Sequence, residues 1–426
     1  MADDDSASRP VVRATAAALL RRPRLWPAPT LLSGLFALLL SLLYVGGIVN
    51  PHRELHALPL AVVDSDTGRP LPGQDRNLGA QIARTLTVGG ATDQAHWRPL
   101  SRAAAQDQLD SGKVYGALVV PADFTDSVRA LTTADATARP TLTVLTNPGL
   151  GSLGSSLAAQ LNTAAAHEAS QRIGDRLART ATGGTARVLL ADPVGVDTRV
   201  GHPIGADSGL GLTAFYYTLL LVLAGFMSAN LISVGLDTAL GYADSEVGPW
   251  HTRRPTVPVD RTQTLLLKIV MTAAVTALTT TLLMVGTITI LGMDAGHLPL
   301  LWIYSYCAIL AVGLGVQAIN AAFGGLGQLV AMFVFIVLGL PSSGATVPLQ
   351  AVPGFYRFLS HFEPMRQISD GVRAILFFDA RGDAGLTRAW IMIAGGAALA
   401  LVLGFLMTRY YDRKGLHRLT PQPAAA

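Results

Sequence analysis

The stretch GLGLTAFYYTLLLVLAGFMSANLISVG, residues 209–235, decides the fold, because its 27 residues include no Asp, Glu, Lys, Arg or His. A helix needs about 20 mainly apolar residues to cross the ~30 Å hydrocarbon layer of a bilayer. Soluble core helices rarely run so long without a charge on any face. Five further segments, 28–49, 265–292, 299–321, 326–341 and 389–408, meet the same test, the fifth in chain order being the shortest. The whole chain agrees: 14% of its 426 residues are charged, 50% are hydrophobic, and the mean hydropathy is +0.41. A soluble globular protein carries roughly 25% charged residues, so the deficit argues against a purely cytosolic enzyme. The expected fold is an α-helical polytopic membrane protein with six transmembrane helices and an inserted extracytoplasmic α/β domain.

The first span lacks a short apolar core followed by a small-residue cleavage site, so it reads as a permanent anchor rather than a signal peptide. Orientation follows from the short basic flanks. Arg9, Arg13, Arg21, Arg22 and Arg24 precede span one. Arg253, Arg254 and Arg261 lie between spans two and three, and Arg409, Arg413, Lys414 and Arg418 follow span six. An even number of spans places all three groups on one side. Both termini are therefore expected in the cytoplasm of a bacterial cell, with residues 1–27 an amphipathic cytoplasmic segment and 409–426 a cytoplasmic tail. Segment 341–388 resists the rule: it holds Arg357, Arg366, Arg373, Arg381 and Arg388, yet parity puts it outside.

Between spans one and two, residues 50–208 return to soluble composition and are long enough for a core of their own. Strands are expected at Leu58–Asp64, Val114–Val120 and Thr141–Thr146. Helices are expected over Asn77–Val88, from Ser101 to Gly112, over Asp123–Leu131, and from Ser152 to about Thr180. This alternation predicts an α/β domain with a partly parallel sheet. Residues 185–208 read as a return path into span two. Gly149, Gly151 and Gly154 spell GxGxxG, but no acidic residue follows on a second strand, so the glycines read as a helix entry rather than a dinucleotide site.

Several chemistries are missing. No GxxxxGK[ST] occurs, since Gly112-Lys113 is followed by Val114, so the chain is not its own ATPase. No HExxH or other metal-ligand spacing is present, and neither a cofactor nor a catalytic role is expected. Asp64, Asp66, Asp123 and Asp126 read as turn and cap residues. The single cysteine, Cys307, sits in an apolar run as a packing residue. The basic balance, 32 Lys and Arg against 28 Asp and Glu, is almost all arginine (Lys113, Lys268 and Lys414 are the only lysines) and does not alternate with aromatics, so nucleic acid is not an expected partner. The span middles lack the titratable groups that a proton-driven carrier keeps at depth; Lys268 lies at the end of span three, from which it could snorkel to the interface. The uncharged polar residues Asn230, Gln317, Asn320 and Gln328 are candidates for a transport path, or for interhelical hydrogen bonds.

Leu58-Pro-Leu-Ala-Val-Val-Asp-Ser-Asp-Thr-Gly68 resembles the opening strand of the outer domain in YhgE/Pip-like (phage infection protein) membrane proteins, which belong with the type-2 ABC permease superfamily. Leu109–Phe124, with its short helix, Gly, strand, Pro and Asp-Phe, is similar to that superfamily's signature. Ala191-Asp-Pro-Val194 looks like its re-entry segment. Pro341-Ser-Ser-Gly344, Pro348, Val352-Pro-Gly-Phe-Tyr356, Pro364 and Gly371-Val-Arg373 resemble its outer loop. In that loop Phe355, Phe358, Leu359 and Phe362, then Ile368, Val372, Ile375 and Leu376, have helical spacing; two amphipathic helices at the outer interface are expected, with the loop arginines meeting lipid headgroups. The resemblance implies a homodimer driven by a separate ABC ATPase.

The expected function is that of a permease subunit exporting a hydrophobic or amphipathic substrate. Candidate ATPase-docking elements are the N-terminal helix around Val11–Leu20 and the Gly241–Arg261 link, with Glu246, Trp250, Arg253 and Arg254; the arginines could equally fix orientation against anionic lipid. The alternative is a non-transporting envelope or secretion accessory protein whose outer domain docks a partner or phage.

Overall fold

The computed structural model describes residues 21, 23–47, 50–88, 93–131, 139–178, 192–416 and 418. The expected helix around Val11–Leu20, the stretch from 179 to Ala191 and the tail beyond 418 lie outside these residues. The chain divides into two units, residues 1–49 and 50–426. The first holds helix α1, Pro27–Gly46, with proline at its opening turn and an apolar run from Ser33 to Gly46.

The second unit begins with an α/β head. Strand β1 (Leu58–Asp64) leads to α2 (Leu78–Val88), β2 (Ala95–Pro99), α3 (Arg102–Asp110), β3 (Gly116–Val120), α4 (Phe124–Ala130), β4 (Thr141–Thr146), α5 (Ser152–Ala178) and β5 (Gly195–Val200). Among the described residues these five strands form one sheet in the order β2-β1-β3-β4-β5. β1 pairs parallel with β2 and β3, β4 pairs parallel with β5, and the β3–β4 pair is antiparallel. The alternation of a strand then sorts the core. Ala61, Val63, Ala117 and Val119 bury against Ala105 and Leu109 of α3. The opposite parity, with Trp97 and Gly116, faces α5: Trp97 Nε1 donates to Asn162 Oδ1 at 3.0 Å, and Gly116 leaves no room for a side chain beside Ala158 and Asn162.

The helices that follow are α6 (Thr213–Ala239), α7 (Arg261–Met284, continued by a π-helical turn Val285–Ile290), α8 (Leu298–Phe323), α9 (Gly327–Met332, continued to Ser342), α10 (Gly354–Leu359), α11 (Pro364–Phe377) and α12 (Leu386–Arg413). Among the described residues four helical stretches, Thr213–Ala239, Arg261–Ile290, Leu298–Ser342 and Leu386–Arg413, are long and apolar enough to cross a membrane. The protein is a helical, multi-pass membrane protein. The 45-residue stretch Leu298–Ser342 is not one rod. Gly324, at φ +59 and ψ −128, breaks it, and the chain doubles back so that Phe335 packs over Gly315.

Helix α8 is the axis of the bundle. Leu301, Tyr304, Ala308, Ile309, Val312 and Val316 bury against Tyr217, Leu221, Val222 and Phe226 of α6, and Tyr217 shares a 2.9 Å hydrogen bond with Ser305. Lipid tails are as apolar as leucine, so helices in a bilayer associate through close packing and hydrogen bonds. Gly225 and Gly313 provide the close packing: a Cβ on Gly225 would lie 2.7 Å from the Ile309 carbonyl, and one on Gly313 would lie 2.7 Å from Thr272 Cγ2.

The head is tied to one end of this bundle. His202 bridges Asp110 Oδ1 (2.8 Å) and the Phe377 carbonyl (2.6 Å) and stacks on Phe378. Lys113 pairs with Asp383 at 2.6 Å and Arg381 with Asp107 at 2.8 Å. Of the GxGxxG glycines, Gly149 lies under Phe378 at this junction, while Gly154 lies under Tyr115 within the head.

One expectation for segment 341–388 is corrected here. Phe355, Phe358 and Phe362 are exposed as expected, but Ile368, Val372 and Ile375 of α11 are buried in the bundle core. A stripe of helical period fits a protein face as well as a lipid face, so periodicity alone could not distinguish them. The loop arginines also meet protein groups. Arg357 meets His56, Arg366 lies beside Asp370, Arg373 donates to the Gly344 and Ala345 carbonyls, Arg381 pairs with Asp107 and Asp383, and Arg388 donates to Gln367. Each guanidinium has protein acceptors in reach, which lowers the cost of leaving water.

Glu363 caps α11, accepting from the Met365 and Arg366 amides at 2.9 and 2.8 Å. Burial pushes its carboxyl up to about 7 despite those bonds. The folded state therefore holds a proton that the unfolded chain releases above pH 4.5. The contribution of this group to stability is full below that pH and is lost as pH rises through about 7. The loss is on the order of 3 kcal/mol. Thermal unfolding of wild type and Glu363→Gln across pH 4–8 is expected to show that decline in wild type and its removal in the variant.

Candidate functional site

At the end of the bundle away from the head, α6, α7, α8 and α9 enclose a cavity of about 510 Å³. Asn230, Asn320 and Gln328 line it, with Ser233, Asp237 and Lys268. Asn320 Nδ2 donates to Asn230 Oδ1 at 3.1 Å. One turn deeper, Gln317 accepts from Ser233 Oγ at 2.7 Å and donates to the Ala229 carbonyl at 3.0 Å and to Thr272 Oγ1 at 3.3 Å. Three of the four candidate path residues thus meet in one hydrogen-bonded patch on α6 and α8, while Gln328 stays exposed at the rim. The patch serves as an interhelical lock, and its Asn230, Ser233 and Asn320 line the cavity.

The charged part of the mouth was not expected from the sequence. Lys268 does not snorkel outward. Its side chain is 7% exposed and its Nζ lies 3.1 Å from Asp237 Oδ2, while Arg418 Nη1 holds Asp237 Oδ1 at 2.6 Å. Asp237 lies in the last turn of α6, Lys268 two turns into α7 and Arg418 after α12, separations that no local motif could link. The three elements are fixed by further polar contacts. Asp412 accepts from the Arg261 and Thr262 amides, capping the start of α7 from α12, and Tyr242 Oη donates to the Val257 carbonyl at 2.7 Å.

The link between α6 and α7 borders the mouth through Tyr242 and Ala243. Gly241, at φ +73, lets the chain fold back where a Cβ would lie 2.6 Å from the Arg254 and Pro255 carbonyls. Residues β6 (Ser245–Val247) and β7 (Trp250–Thr252) then form an antiparallel hairpin about Gly248 and Pro249. The docking candidates Glu246, Trp250, Arg253 and Arg254 are all exposed on or just after this hairpin, and Val247 and Trp250 are 66% and 72% exposed. Arg253 lies 3.6 Å from Asp244. The sequence marked these residues but not the hairpin that displays them. Among the described residues no cluster of three or more His, Cys, Asp or Glu could hold a metal ion.

A family model described as a protein of unknown function, DUF3533, matches residues 29–396. The chain belongs to the DUF3533 family. Nothing among curated proteins matches it. Among solved structures, a domain of a putative ABC type-2 transporter from Thermotoga maritima MSB8 is similar to part of this DUF3533 chain. It has 14% identity and a TM-score of 0.25, over 33% of this chain and 84% of that one.

Proposed function

We propose that this DUF3533 protein is the permease subunit of an export system that moves a hydrophobic or amphipathic molecule outward. In this reading the chain crosses the membrane six times, with α8 and α9 as separate crossings and α1 as the first. The termini and the 245–252 hairpin lie in the cytoplasm and the α/β head outside. Two chains form the working unit, and a separate ABC ATPase drives the switch between inward- and outward-open states. The resemblance of Leu58–Gly68 and Leu109–Phe124 to type-2 permeases and to the phage-infection branch supports the assignment.

The observation that carries the reading is the placement of the hairpin. An exposed apolar and basic tip, Val247, Trp250, Arg253 and Arg254, stands at the end of α6 and α7 beside a polar cavity and opposite the head. Tyr242 and Ala243, which lead into the hairpin, donate their amides to the Asp237 carbonyl and line the cavity, so movement of the hairpin by a bound partner would reach the mouth through them. The test is gentle detergent extraction with crosslinking and mass spectrometry, followed by ATP turnover. A P-loop ATPase is expected to be retained and stimulated. Trp250→Ala and Arg253→Glu, both at exposed positions, are expected to weaken that retention about tenfold, as for a central aromatic or charged anchor, with unchanged thermal stability. If wild type retains no ATPase, the permease reading fails and an envelope protein acting through its head replaces it.

A further inference from the structure

Where the head meets the bundle there is a second cavity, of about 260 Å³. Lys113 and Tyr115 line it from the head, and Arg366, Asp370 and Arg373 from α11. Its charges do not cancel. Lys113 is matched by Asp383 at 2.6 Å and Arg366 lies 3.5 Å from Asp370. Arg373 is 6% exposed, and among the described residues no carboxylate lies within salt-bridge distance of it. Its two terminal nitrogens donate to the Ala345 and Gly344 carbonyls at 2.7 and 3.3 Å, and its Nε has no partner. The Nε of Arg366 faces Asp370 Oδ2 at 3.5 Å without forming a hydrogen bond. A buried guanidinium matched only by carbonyl dipoles is costly unless an anion completes it. The unpartnered Nε of Arg373, with the Arg366 guanidinium lining the same cavity, suits the oxygens of a phosphate.

We propose that this cavity binds a phosphate-bearing anion, and that its source is the headgroup of an anionic lipid. One excess positive charge matches a phosphodiester that carries a single negative charge. The cavity has room for a headgroup and none for acyl chains. Gly344 and Gly385 line it, next to the ends of the apolar stretches Leu298–Ser342 and Leu386–Arg413, which is the depth at which phosphates lie. The exposed Phe355, Phe358 and Phe362 of the neighbouring α10 segment are suited to dip into the same interface. The proposal rests on the membrane placement but not on transport, so failure of ATPase coupling leaves it standing.

The test uses the full-length protein. Native mass spectrometry from nanodiscs of phosphatidylglycerol or phosphatidylcholine counts retained lipid, and thermal shift in lipid-free detergent with inorganic phosphate or glycerol phosphate reports soluble anions. Wild type is expected to retain one phosphatidylglycerol per chain in preference to phosphatidylcholine. Arg373→Gln and Arg366→Gln are each expected to weaken that binding about tenfold, the loss of one charge-assisted hydrogen-bonding group. If Arg373→Gln does not fold, Arg366→Gln, at a partly exposed position, decides. A shift with soluble phosphate that the variants lose, without lipid preference, would keep the anion site and reassign its source. Equal retention of the two lipids with no phosphate shift, or folded variants that bind as wild type does, would overturn the site.

Discussion

Asp237→Ala is expected to destabilise the purified protein by about 3–5 kcal/mol, the cost of removing one partner from a buried ion pair. Asp237 sits between Lys268 Nζ and Arg418 Nη1, at 3.1 and 2.6 Å. Without it the buried Lys268 ammonium has no carboxylate within reach among the described residues. Lys268→Met is expected to cost much less, since Arg418 still holds Asp237. The double variant Asp237→Ala with Lys268→Met is expected to recover most of the loss, because an apolar pair of similar volume often replaces a buried ion pair without penalty. Thermal unfolding in one detergent would measure all three. A loss below about 1 kcal/mol for Asp237→Ala, in the range of exposed pairs, would show that the mouth is hydrated and the triad incidental.

The second large effect concerns the crossing of α6 and α8. Gly225→Leu is expected to prevent the bundle from assembling, or to cost at least about 3 kcal/mol, the upper range of overpacking. The first carbon added would fall 2.7 Å from the Ile309 carbonyl and 2.8 Å from Val312 Cβ. Backbone cannot swing away as a flexible side chain can, so the helices would separate and lose the Tyr217–Ser305 hydrogen bond. Gly235→Leu on the same helix, where nothing lies within 4 Å, is the matched control and is expected to be tolerated. Gel filtration and thermal unfolding distinguish the two; equal behaviour would refute close packing at Gly225.

The elements that the sequence disclosed were those with long or cleanly periodic apolar signals. Strands Leu58–Asp64 and Thr141–Thr146 and the start of α5 at Ser152 appear at the expected residues. Strands β2 and β5 were missed because they lie at the sheet edges. In Ala95–Pro99 Trp97 is the buried residue, and in Gly195–Val200 no residue is buried, so neither shows a buried-strand run. The turn at Gly324 was legible as a gap between two apolar segments, but the packing of Phe335 on Gly315 was not. The polar residues Asn230, Gln317 and Asn320 could be singled out because uncharged hydrogen-bonding groups are conspicuous within apolar spans. Asp237, Lys268 and Arg418 could not be grouped, because 31 and 181 positions separate Asp237 from its two partners. The same holds for the Arg366–Arg373 cavity, which exists only once the head closes on α11.

The central claim is that the α/β head and the 245–252 hairpin stand on opposite sides of a membrane. The chain has a single cysteine, Cys307, so a Cys307→Ala background carrying Ser156→Cys on α5 or Glu246→Cys on the hairpin isolates each surface. Both positions are exposed. Labelling intact cells with a membrane-impermeant maleimide is expected to modify the cysteine at 156 and to reach the one at 246 only after the membrane is opened. Modification at 246 in intact cells, or protection at 156, would contradict the account.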